Sequence, residues 1–336
     1  MGTASAIRSE PRSISLVIPT WNGGALFRKV LAALAEQDIE DGFEMVVIDS
    51  GSRDGTAEAA EAAGARVERI DRLTFNHGGT RNRGIALTHG ERVCLLTQDA
   101  RPMNRSYLAN LVRPFDDSSV DGVYARQFPR DDCDPLLAER LRRWSATREK
   151  PERKSLVPGD PPASIEAFEA LTPLERYLSS VFDNVASAVR RSTWERLPFP
   201  QRAFGEDVAW GRLVLRAGGT LAFEPSAEVE HSHRIRMFGE FKRIYCDHRN
   251  LFELFGLRNV PAWSNVKDGG RGQWRVYREL LDGLEIGSLQ RLFWKAYALP
   301  YAYLETAAQF LGARSESKAK VSPFWRWADR KIRAGV

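Results

Sequence analysis

Cysteine is scarce in this chain: only Cys94, Cys133 and Cys246 occur among its 336 residues. An odd number of cysteines without close spacing argues against a disulfide framework and against a cysteine-based zinc site. Long apolar runs are also missing, because the best candidate, residues 292–311, is interrupted by charged residues and by Pro300. A spanning helix needs about 20 apolar residues. This stretch instead predicts a buried or interfacial helical hairpin that breaks near Pro300.

A secretory signal is lacking as well, since residues 1–12 are polar and contain no apolar core. We therefore expect a flexible N-terminal tail over residues 1–12 and a protein that resides in the cytoplasm. The composition, 43% hydrophobic and 28% charged residues, is typical of a globular protein. The length suits one large domain with an appendage.

The positive charge of the chain is concentrated at its end. Seven basic and two acidic residues lie within residues 314–336, which accounts for the whole net charge of +5. The rest of the chain is neutral overall, which argues against a nucleic-acid partner. Basic residues interspersed with Phe324, Trp325 and Trp327 are typical of a segment that contacts an anionic membrane surface peripherally. The alternative is a solvated helix that packs these aromatic side chains on its own domain.

Strands and helices alternate along the first half of the chain, which predicts a doubly wound, mostly parallel α/β sheet. Apolar strands are predicted at residues 14–19, 45–49, 66–70 and 92–97, and helices at residues 25–37, 54–63, 79–88 and 104–115.

The pattern of the second half is less regular. It predicts a strand at 123–128, a helix at 135–147, a charged and proline-rich lid loop at 148–163, a strand at 185–190, a helix at 206–217 and a pair of strands within 220–231. Beyond Met237 the signal is mainly helical. We therefore expect an α/β domain at residues 13–236 and a C-terminal helical region at residues 237–336.

Carboxylates stand where three of these segments meet loops. Asp49 and Asp99 each end a predicted strand, and Glu206 and Asp207 open a predicted helix. In an open α/β sheet the loops at the carboxyl ends of the strands converge on a ligand crevice. The sequence thus predicts an acidic site at that edge of the sheet.

The motifs around these carboxylates occur in a characteristic order. Residues 19–22 read Pro-Thr-Trp-Asn, Asp49 is followed by Gly-Ser-Arg-Asp-Gly-Thr at residues 51–56, and residues 75–84 form a glycine-rich segment. This order resembles the inverting family-2 glycosyltransferases of the GT-A fold. The segment at residues 75–84 resembles the rhamnosyltransferase subgroup of that family.

The resemblance implies an inverting enzyme that transfers a sugar from a nucleotide diphosphate sugar to a hydroxyl of a lipid-linked or cell-surface glycan precursor. The donor would be a dTDP-sugar, such as dTDP-L-rhamnose, or a UDP-sugar. Asp207 would be the catalytic base, and Asn184 and Glu206 would bind the acceptor. The implied donor-binding residues are Pro19, Thr20, Trp21, Asn22, Asp49, Ser50, Gly51, Gly78, Gly79, Arg81, Gln98 and Asp99. Such an enzyme would work at the inner face of the cell membrane.

The resemblance also implies a divalent metal ion, Mn²⁺ or Mg²⁺, on Asp99. The motif here reads Gln98-Asp99-Ala100 and offers one carboxylate, which suffices when substrate phosphates complete the coordination. His231 and His233 follow a predicted strand, and alternation places both imidazoles on the same face, so one of them, His233 in preference to His231, would supply a further ligand. Arg234 and Arg236 would hold the diphosphate or form a solvated basic turn.

Two other classes of function remain open on the sequence. A catalytically silent, membrane-associated glycosyltransferase-like scaffold is suggested by the single carboxylate at Asp99. A sugar-1-phosphate nucleotidylyltransferase would also carry a Gly-Gly-Thr-Arg stretch, but directly after its first strand, where this chain has residues 20–24 instead.

Overall fold

The computed structural model describes residues 6–8, 12–202, 204–233 and 237–334. The chain forms two compact units. The first comprises Met1–Asp131 and Leu141–Ser232, and the second comprises Asp132–Arg140 and His233–Val336. The first unit ends at Ser232, four residues before the boundary expected from the sequence.

The first unit is built on a sheet with ten strands among the described residues. These are β1 (Ile7–Arg8), β2 (Ile14–Thr20), β3 (Phe43–Asp49), β4 (Arg66–Arg69), β5 (Arg92–Leu96), β6 (Arg101–Pro102), β7 (Val120–Phe128), β8 (Glu152–Lys154), β9 (Ala186–Arg190) and β10 (Thr220–Glu230). The order is β1-β3-β2-β5-β9-β7-β10-β6, with β4 paired to β3 and β8 to β10. The half formed by β1 to β5 is parallel, whereas β9 runs antiparallel to β5 and β7.

Helices cover both faces of this sheet. In chain order they are α1 (Gly24–Ala35), α2 (Thr56–Ala62), α3 (His77–Ala86), α4 (Tyr107–Val112), α6 (Pro161–Ala170), α7 (Pro173–Ser180), α8 (Arg191–Arg196) and α9 (Glu206–Arg216). Between α4 and α6 the chain forms α5 (Pro135–Leu141), which is not one of these helices. Residues 135–140 of α5 belong to the second unit.

The doubly wound arrangement follows from the alternation of side chains along the strands. Leu16 and Ile18 of β2 pack with α1, α2 and α4 on one face, and Val17 packs with α3 and α9 on the other. Because both faces are covered, β2 and β3 are almost continuously apolar, as buried parallel strands generally are. The predicted sheet is confirmed.

The first described residues do not behave as a tail. Ile7 and Arg8 form β1, which extends the sheet beside β3, and the side chain of Ile7 is buried. The flexible tail expected over residues 1–12 is therefore wrong for Ile7 and Arg8, which form an edge strand.

The predicted lid at residues 148–163 is wrong for the described structure. β8 lies within this segment and pairs antiparallel with residues 221–223, near the start of β10. That is the opposite end of β10 from His231. Lys154 fixes the segment further, since its Nζ donates to the carbonyl of Leu178 at 2.8 Å. Residues 152–154 of this segment therefore belong to the sheet instead of forming a lid.

Two helices and one strand pair also differ from the expectation. The helix at 104–115 is shorter, because α4 ends at Val112 and a 3₁₀ turn follows. The helix at 135–147 changes to a π-helical turn after Leu141. The expected pair of strands within 220–231 is one strand, β10, whose register against β7 shifts between Glu224 and Glu228. Pro225 lies in this bulge, where its missing N–H interrupts no ladder bond.

The second unit is helical beyond Met237, as expected. Its helices are α10 (Met237–Phe255), α11 (Trp263–Gly283), α12 (Ser288–Gly312), α13 (Ser315–Val321) and α14 (Pro323–Arg333). The predicted hairpin at 292–311 is wrong, because α12 continues through Pro300 as one helix. Pro300 lies on the exposed side, while Ala298, Tyr301 and Ala302 pack inward, so the packed face maintains the helix. Within the described residues, no helix is both long enough and apolar enough to cross a membrane.

Buried charges tie the segments of the second unit together. Arg140 contacts the carboxylates of Glu240 at 2.5 Å and of Glu305 at 3.5 Å. Both glutamates are more than nine-tenths buried. The Tyr277 hydroxyl donates to Glu305 at 2.9 Å. Arg140 thus neutralises two acids that are removed from water.

Replacing Arg140 by methionine is expected to lower the free energy of unfolding by about 3 kcal/mol, because the substitution leaves buried carboxylates without their cation. Urea denaturation followed by circular dichroism measures this change. Arg275→Met, at an exposed position of α11, is the matched control and should change stability by less than about 0.5 kcal/mol. Equal stability of the two variants would contradict the expectation.

Candidate active site

The loops after β2 and β3 are built around Asp49, the last residue of β3. Its Oδ2 accepts hydrogen bonds from the Thr20 hydroxyl at 2.9 Å and from the Ser52 hydroxyl at 2.5 Å. Its Oδ1 accepts from the backbone N–H groups of Gly51 at 3.1 Å and Ser52 at 2.9 Å. Asp49 is fully buried. In the structure this carboxylate orders the loops, and its predicted contact with a donor stays a prediction.

Further hydrogen bonds join these two loops. The backbone N–H of Asn22 donates to the Ser52 hydroxyl at 2.8 Å, and the Asn22 side chain accepts from the N–H of Arg53 at 2.9 Å. The N–H of Gly24 donates to Asp54 at 2.9 Å. Asn22 has a φ of +47°, and no other non-glycine residue in the described segments has a positive φ. Asparagine tolerates this left-handed conformation better than most residues, so the motif sequence suits the loop geometry.

Gln98 connects the end of β5 to the first of these loops. Its Oε1 accepts from the backbone N–H of Trp21 at 2.8 Å, and its Nε2 donates to the Trp21 carbonyl at 3.1 Å. The Trp21 ring is 41% exposed, and the guanidinium of Arg72 lies 3.2 Å from its centroid. Sequence reasoning missed Arg72, because no local motif marks a stacking partner fifty residues away. Gln98 is thus placed to position the loop.

Gln98→Ala is expected to weaken nucleotide binding about tenfold, because both hydrogen bonds that hold the Trp21 backbone disappear. Isothermal titration with nucleoside diphosphates measures the effect. Gln290→Ala, at an exposed position of α12, serves as the control. Unchanged affinity in Gln98→Ala would show that the loop holds its conformation without this amide.

The glycine-rich segment forms the start of α3. Asn76 caps the helix, since its side chain accepts from the N–H of Gly79 at 2.9 Å. A Cβ atom at Gly78 would lie 2.0 Å from the Pro200 carbonyl oxygen, so no side chain fits there. At Gly79 the closest atom would be 3.5 Å away, an ordinary contact. Gly78 is therefore required by packing, and the predicted approach of both glycines to a donor stays a prediction.

Arg81, Asn184 and Glu206 form a buried cluster. Arg81 Nη1 donates to Glu206 Oε1 at 2.9 Å, and Asn184 Nδ2 donates to the same oxygen at 3.2 Å. Arg81 Nη2 also donates to the Asn184 carbonyl at 3.4 Å. All three residues are at most 5% exposed. The structure thus gives Arg81 a different partner from the predicted diphosphate, and it turns Glu206 and Asn184 away from solvent, where an acceptor would bind.

Asp207 follows this cluster at the start of α9. Its Oδ1 accepts from the N–H of Val208 at 2.8 Å, and its Oδ2 accepts from the N–H of Asn184 at 3.4 Å. Although the residue keeps part of its surface accessible, many protein atoms surround the carboxyl. This burial, with the nearby negative charges of Glu206 and Asp183, raises the pKa of Asp207 well above its usual value. A carboxylate with a raised pKa is a stronger base near neutral pH.

A second group of candidate ligands lies at the ends of β5 and β10. Asp99 Oδ1 is 3.6 Å from His231 Nε2, and the two side chains are 20% and 6% exposed. The His231 N–H donates to the Phe128 carbonyl at 2.8 Å, which continues the pairing of β7 with β10. Ligand atoms of Asp99, His231 and His233 all lie within 4.8 Å of one another. The predicted Arg234 and Arg236 lie outside the described residues.

The chemistry of these three ligands fits a divalent cation. One carboxylate oxygen and two imidazole nitrogens suit Mn²⁺, which accepts a mixed donor set more readily than Mg²⁺ does. The sequence indicated Asp99 with one of two histidines, and the structure brings both histidines to Asp99. Among the other implied donor residues, Pro19 of β2 lies opposite Ile48 of β3, and Ser50 is buried directly after β3.

Comparison with known proteins identifies the family of this chain. The family model "Glycosyl transferase family 2" matches residues 15–168. The chain is 33% identical over 303 residues to the O-antigen chain rhamnosyltransferase RfbN of Salmonella typhimurium, an alignment that covers 89% of this chain and 88% of that protein. It is 29% identical over 309 residues to the O-antigen chain rhamnosyltransferase WbaN of Salmonella anatum, with the same coverages of 89% and 88%.

Among solved structures, the mannosyltransferase PcManGT of Pyrobaculum calidifontis, in complex with GDP-Man and Mn²⁺, has a TM-score of 0.51 and 19% identity, covering 98% of this chain and 87% of that chain. This similarity concerns the fold. A sugar-1-phosphate nucleotidylyltransferase is excluded by the family match. The chain belongs to glycosyl transferase family 2: it is a glycosyltransferase of the GT-A fold that uses a nucleotide sugar.

Proposed function

We propose that this enzyme transfers L-rhamnose from dTDP-L-rhamnose to a hydroxyl group of a lipid-linked glycan precursor. The observation that carries the proposal is the 33% identity, over 89% of the chain, with an O-antigen chain rhamnosyltransferase. The glycine-rich start of α3 supports it, because this segment resembles the rhamnosyltransferase subgroup.

The proposed reaction is a single displacement with inversion. Asp207 accepts the proton of the acceptor hydroxyl while that oxygen forms its bond to the anomeric carbon. The bond from that carbon to the diphosphate oxygen breaks on the opposite face, and the nucleoside diphosphate leaves. Arg81 and Asn184 hold Glu206, which fixes the start of α9 and so positions Asp207. Asp99, His231 and His233 would hold Mn²⁺ or Mg²⁺, which neutralises charge on the departing diphosphate when bound.

Calorimetric titration of dTDP, UDP and GDP, each with and without Mn²⁺, tests the donor. We expect dTDP to bind most tightly, and only in the presence of the metal. Transfer from dTDP-L-rhamnose to a polyprenyl diphosphate-linked sugar, detected by mass spectrometry, tests the reaction. Tighter binding of UDP or GDP would indicate a donor sugar other than rhamnose. Nucleotide binding without transfer would exclude polyprenyl diphosphate-linked sugars as acceptors.

We also infer that α14 contacts the membrane at its cytoplasmic face. Phe324 and Trp327 are 63% and 52% exposed, in a helix that carries Arg326, Arg330, Lys331 and Arg333. The opposite side of α14 is anchored, because the buried Asp329 accepts from the Tyr245 hydroxyl at 2.9 Å. Lys318 Nζ lies 4.3 Å from the centroid of the Trp325 ring, which is only partly exposed. Trp325 thus packs within its own unit, whereas the exposed rings of Phe324 and Trp327 support the proposed membrane contact.

Cosedimentation with vesicles tests this contact. We expect the protein to bind vesicles that contain phosphatidylglycerol and to bind pure phosphatidylcholine vesicles at least tenfold more weakly, since each basic residue near an anionic surface contributes about 1 kcal/mol. The double variant Phe324→Ser/Trp327→Ser should lose most of the binding. Equal sedimentation of the variant and the wild type would contradict a role for α14.

A further inference from the structure

The second unit contains a cavity of about 400 Å³ between α11, α12 and the segment that precedes α11. Carboxamide side chains form much of its wall, and two buried polar residues, Glu305 and Thr306, lie at its base. No Lys, Arg or His occurs among the described residues that line it. The carboxamides belong to Asn259, Asn265, Gln273 and Gln309.

Three glycines lie in the middle of α11, and one of them, Gly269, lines this cavity. Glycine in a helix interior is about 1 kcal/mol less favourable than alanine, yet α11 contains Gly269, Gly270 and Gly272. A Cβ atom at Gly270 would lie 2.6 Å from the Tyr303 ring, so α12 packs close only because the residue is glycine. Gly269 lines the cavity, and its Cβ would lie 3.2 Å from Thr306 Cγ2. A Cβ at Gly272 would meet no atom within 4 Å.

Hydrogen bonds orient two of the carboxamide side chains in the cavity wall. Asn259 Nδ2 lies 3.2 Å from His248 Nε2, and Asn265 Oδ1 accepts from the Ala262 N–H at 3.0 Å. These bonds leave the other amide atom of each side chain for a ligand. Gln309 and Asp268 make no side-chain hydrogen bond or ion pair with any other residue that the structure describes. The cavity therefore presents both donors and acceptors.

The lining selects the chemistry of a ligand. A carboxamide both donates and accepts, which matches a hydroxyl group, and Val260 and Pro261 provide apolar surface for the C–H groups of a sugar ring. The lack of basic side chains in the described lining disfavours phosphate. A divalent cation is disfavoured because Glu305 is already bound by Tyr277 and Arg140, which leaves Asp268 as the one remaining carboxylate of that lining. The volume lies within the usual range of about 300–1,000 Å³ for ligand sites.

We propose that this cavity binds a neutral saccharide, and so gives the second unit a glycan-binding site of its own. That a glycan is the natural ligand rests on the proposed function, whereas the binding itself requires neither nucleotide nor transfer. The site would hold a part of the glycan chain that does not react.

Saturation-transfer NMR with methyl α-L-rhamnopyranoside and methyl α-D-mannopyranoside, in the absence of nucleotide, tests the proposal. The wild type should transfer saturation to at least one glycoside. Gly269→Leu fills the cavity and should weaken binding at least tenfold, whereas Gly272→Leu, three residues along the same helix, should bind as the wild type does. Both changes replace a helix glycine by a better helix former, so both proteins should fold.

Two further variants locate the binding. Gln309→Ala should weaken the signal without filling the cavity, and Asp99→Ala, in the transfer site, should leave it unchanged. The proposal is overturned if neither glycoside binds the wild type, or if Gly269→Leu and Gly272→Leu bind equally. It is also overturned if Asp99→Ala abolishes the signal, because the glycoside then occupies the transfer site. If dTDP does not bind, the proposed rhamnosyl donor is refuted, but the results on glycoside binding can still be interpreted.

Discussion

Asp207→Asn is expected to reduce the rate of sugar transfer by 10²- to 10⁴-fold, the usual contribution of a general base, while nucleotide binding stays within about twofold of the wild type. Asparagine keeps the shape of the side chain but accepts no proton from the acceptor hydroxyl. Steady-state transfer assays give the rate, and calorimetry gives the affinity. Asp41→Asn, at an exposed position, is the matched control. A variant that transfers at the wild-type rate would remove Asp207 from the mechanism.

The raised pKa of Asp207 leads to two further expectations, one for the pH dependence of transfer and one for the pH dependence of stability. Transfer by the wild type should increase with pH through the raised pKa, because only the ionised carboxylate accepts a proton. The folded protein holds that proton more tightly than the unfolded chain does. Stability should therefore fall as the pH rises from the unfolded pKa of about 3.9 towards the folded one. Asp207→Asn removes this loss, so at neutral pH it should be at least as stable as the wild type.

A change at Asp183 separates the electrostatic cause from the rest. The Asp183 charge is one of the groups that raise the pKa of Asp207, so Asp183→Asn should shift the pH profile of transfer towards acid. A purely structural effect would lower the rate at every pH and leave the midpoint in place.

The second large effect is expected at Asp99. Asp99→Ala should lower transfer about 10³-fold and abolish metal-dependent binding of the nucleoside diphosphate, because it removes the carboxylate that would hold the cation. A cation that neutralises developing charge in the transition state typically contributes 10²- to 10³-fold or more. Removal of metal with EDTA should reduce wild-type activity similarly, and added Mn²⁺ should restore it. Calorimetry with and without Mn²⁺, together with transfer assays, measures both effects.

Substitutions of the two histidines near Asp99 test the same metal site. His231→Gln and His233→Gln should each weaken Mn²⁺ affinity, and the larger loss identifies the stronger ligand. His231 is the more buried of the two, and its Nε2 lies 3.6 Å from Asp99. If both variants and Asp99→Ala keep full metal-dependent binding, the cation is held elsewhere.

Local patterns determined much of the fold. The apolar strands that end at Asp49 and Leu96 could be predicted because each is buried on both faces, and Glu206 opens a helix as its sequence indicated. Proline misled the prediction in α12, since an exposed Pro300 does not break a helix whose other side is packed. A second proline, Pro225, lies in a bulge of β10, where the sequence predicted that a strand would end. In both places tertiary packing outweighed the local preference.

Within the candidate site, the motifs located the residues but not their partners. Arg81 and Glu206 are 125 residues apart, and Trp21 and Gln98 are 77 residues apart. No periodicity or spacing can reveal such pairs, because they exist only once the sheet has formed. An arginine next to a glycine-rich helix start suggests a phosphate ligand, and only the fold shows that the guanidinium is directed at a buried glutamate.

The contact between α3 and α9 has a consequence for exchanging parts between relatives. Because Gly78 has no side chain, the Pro200 carbonyl can pack against it. The Arg81–Glu206 ion pair also joins α3 to α9. Substituting residues 200–216 from a relative, to alter the acceptor, would therefore place foreign atoms against Gly78 and a foreign partner opposite Arg81. Residues 76–86 should be transplanted together with them, so the glycine-rich segment and the helix that bears Asp207 form a single module for recombination.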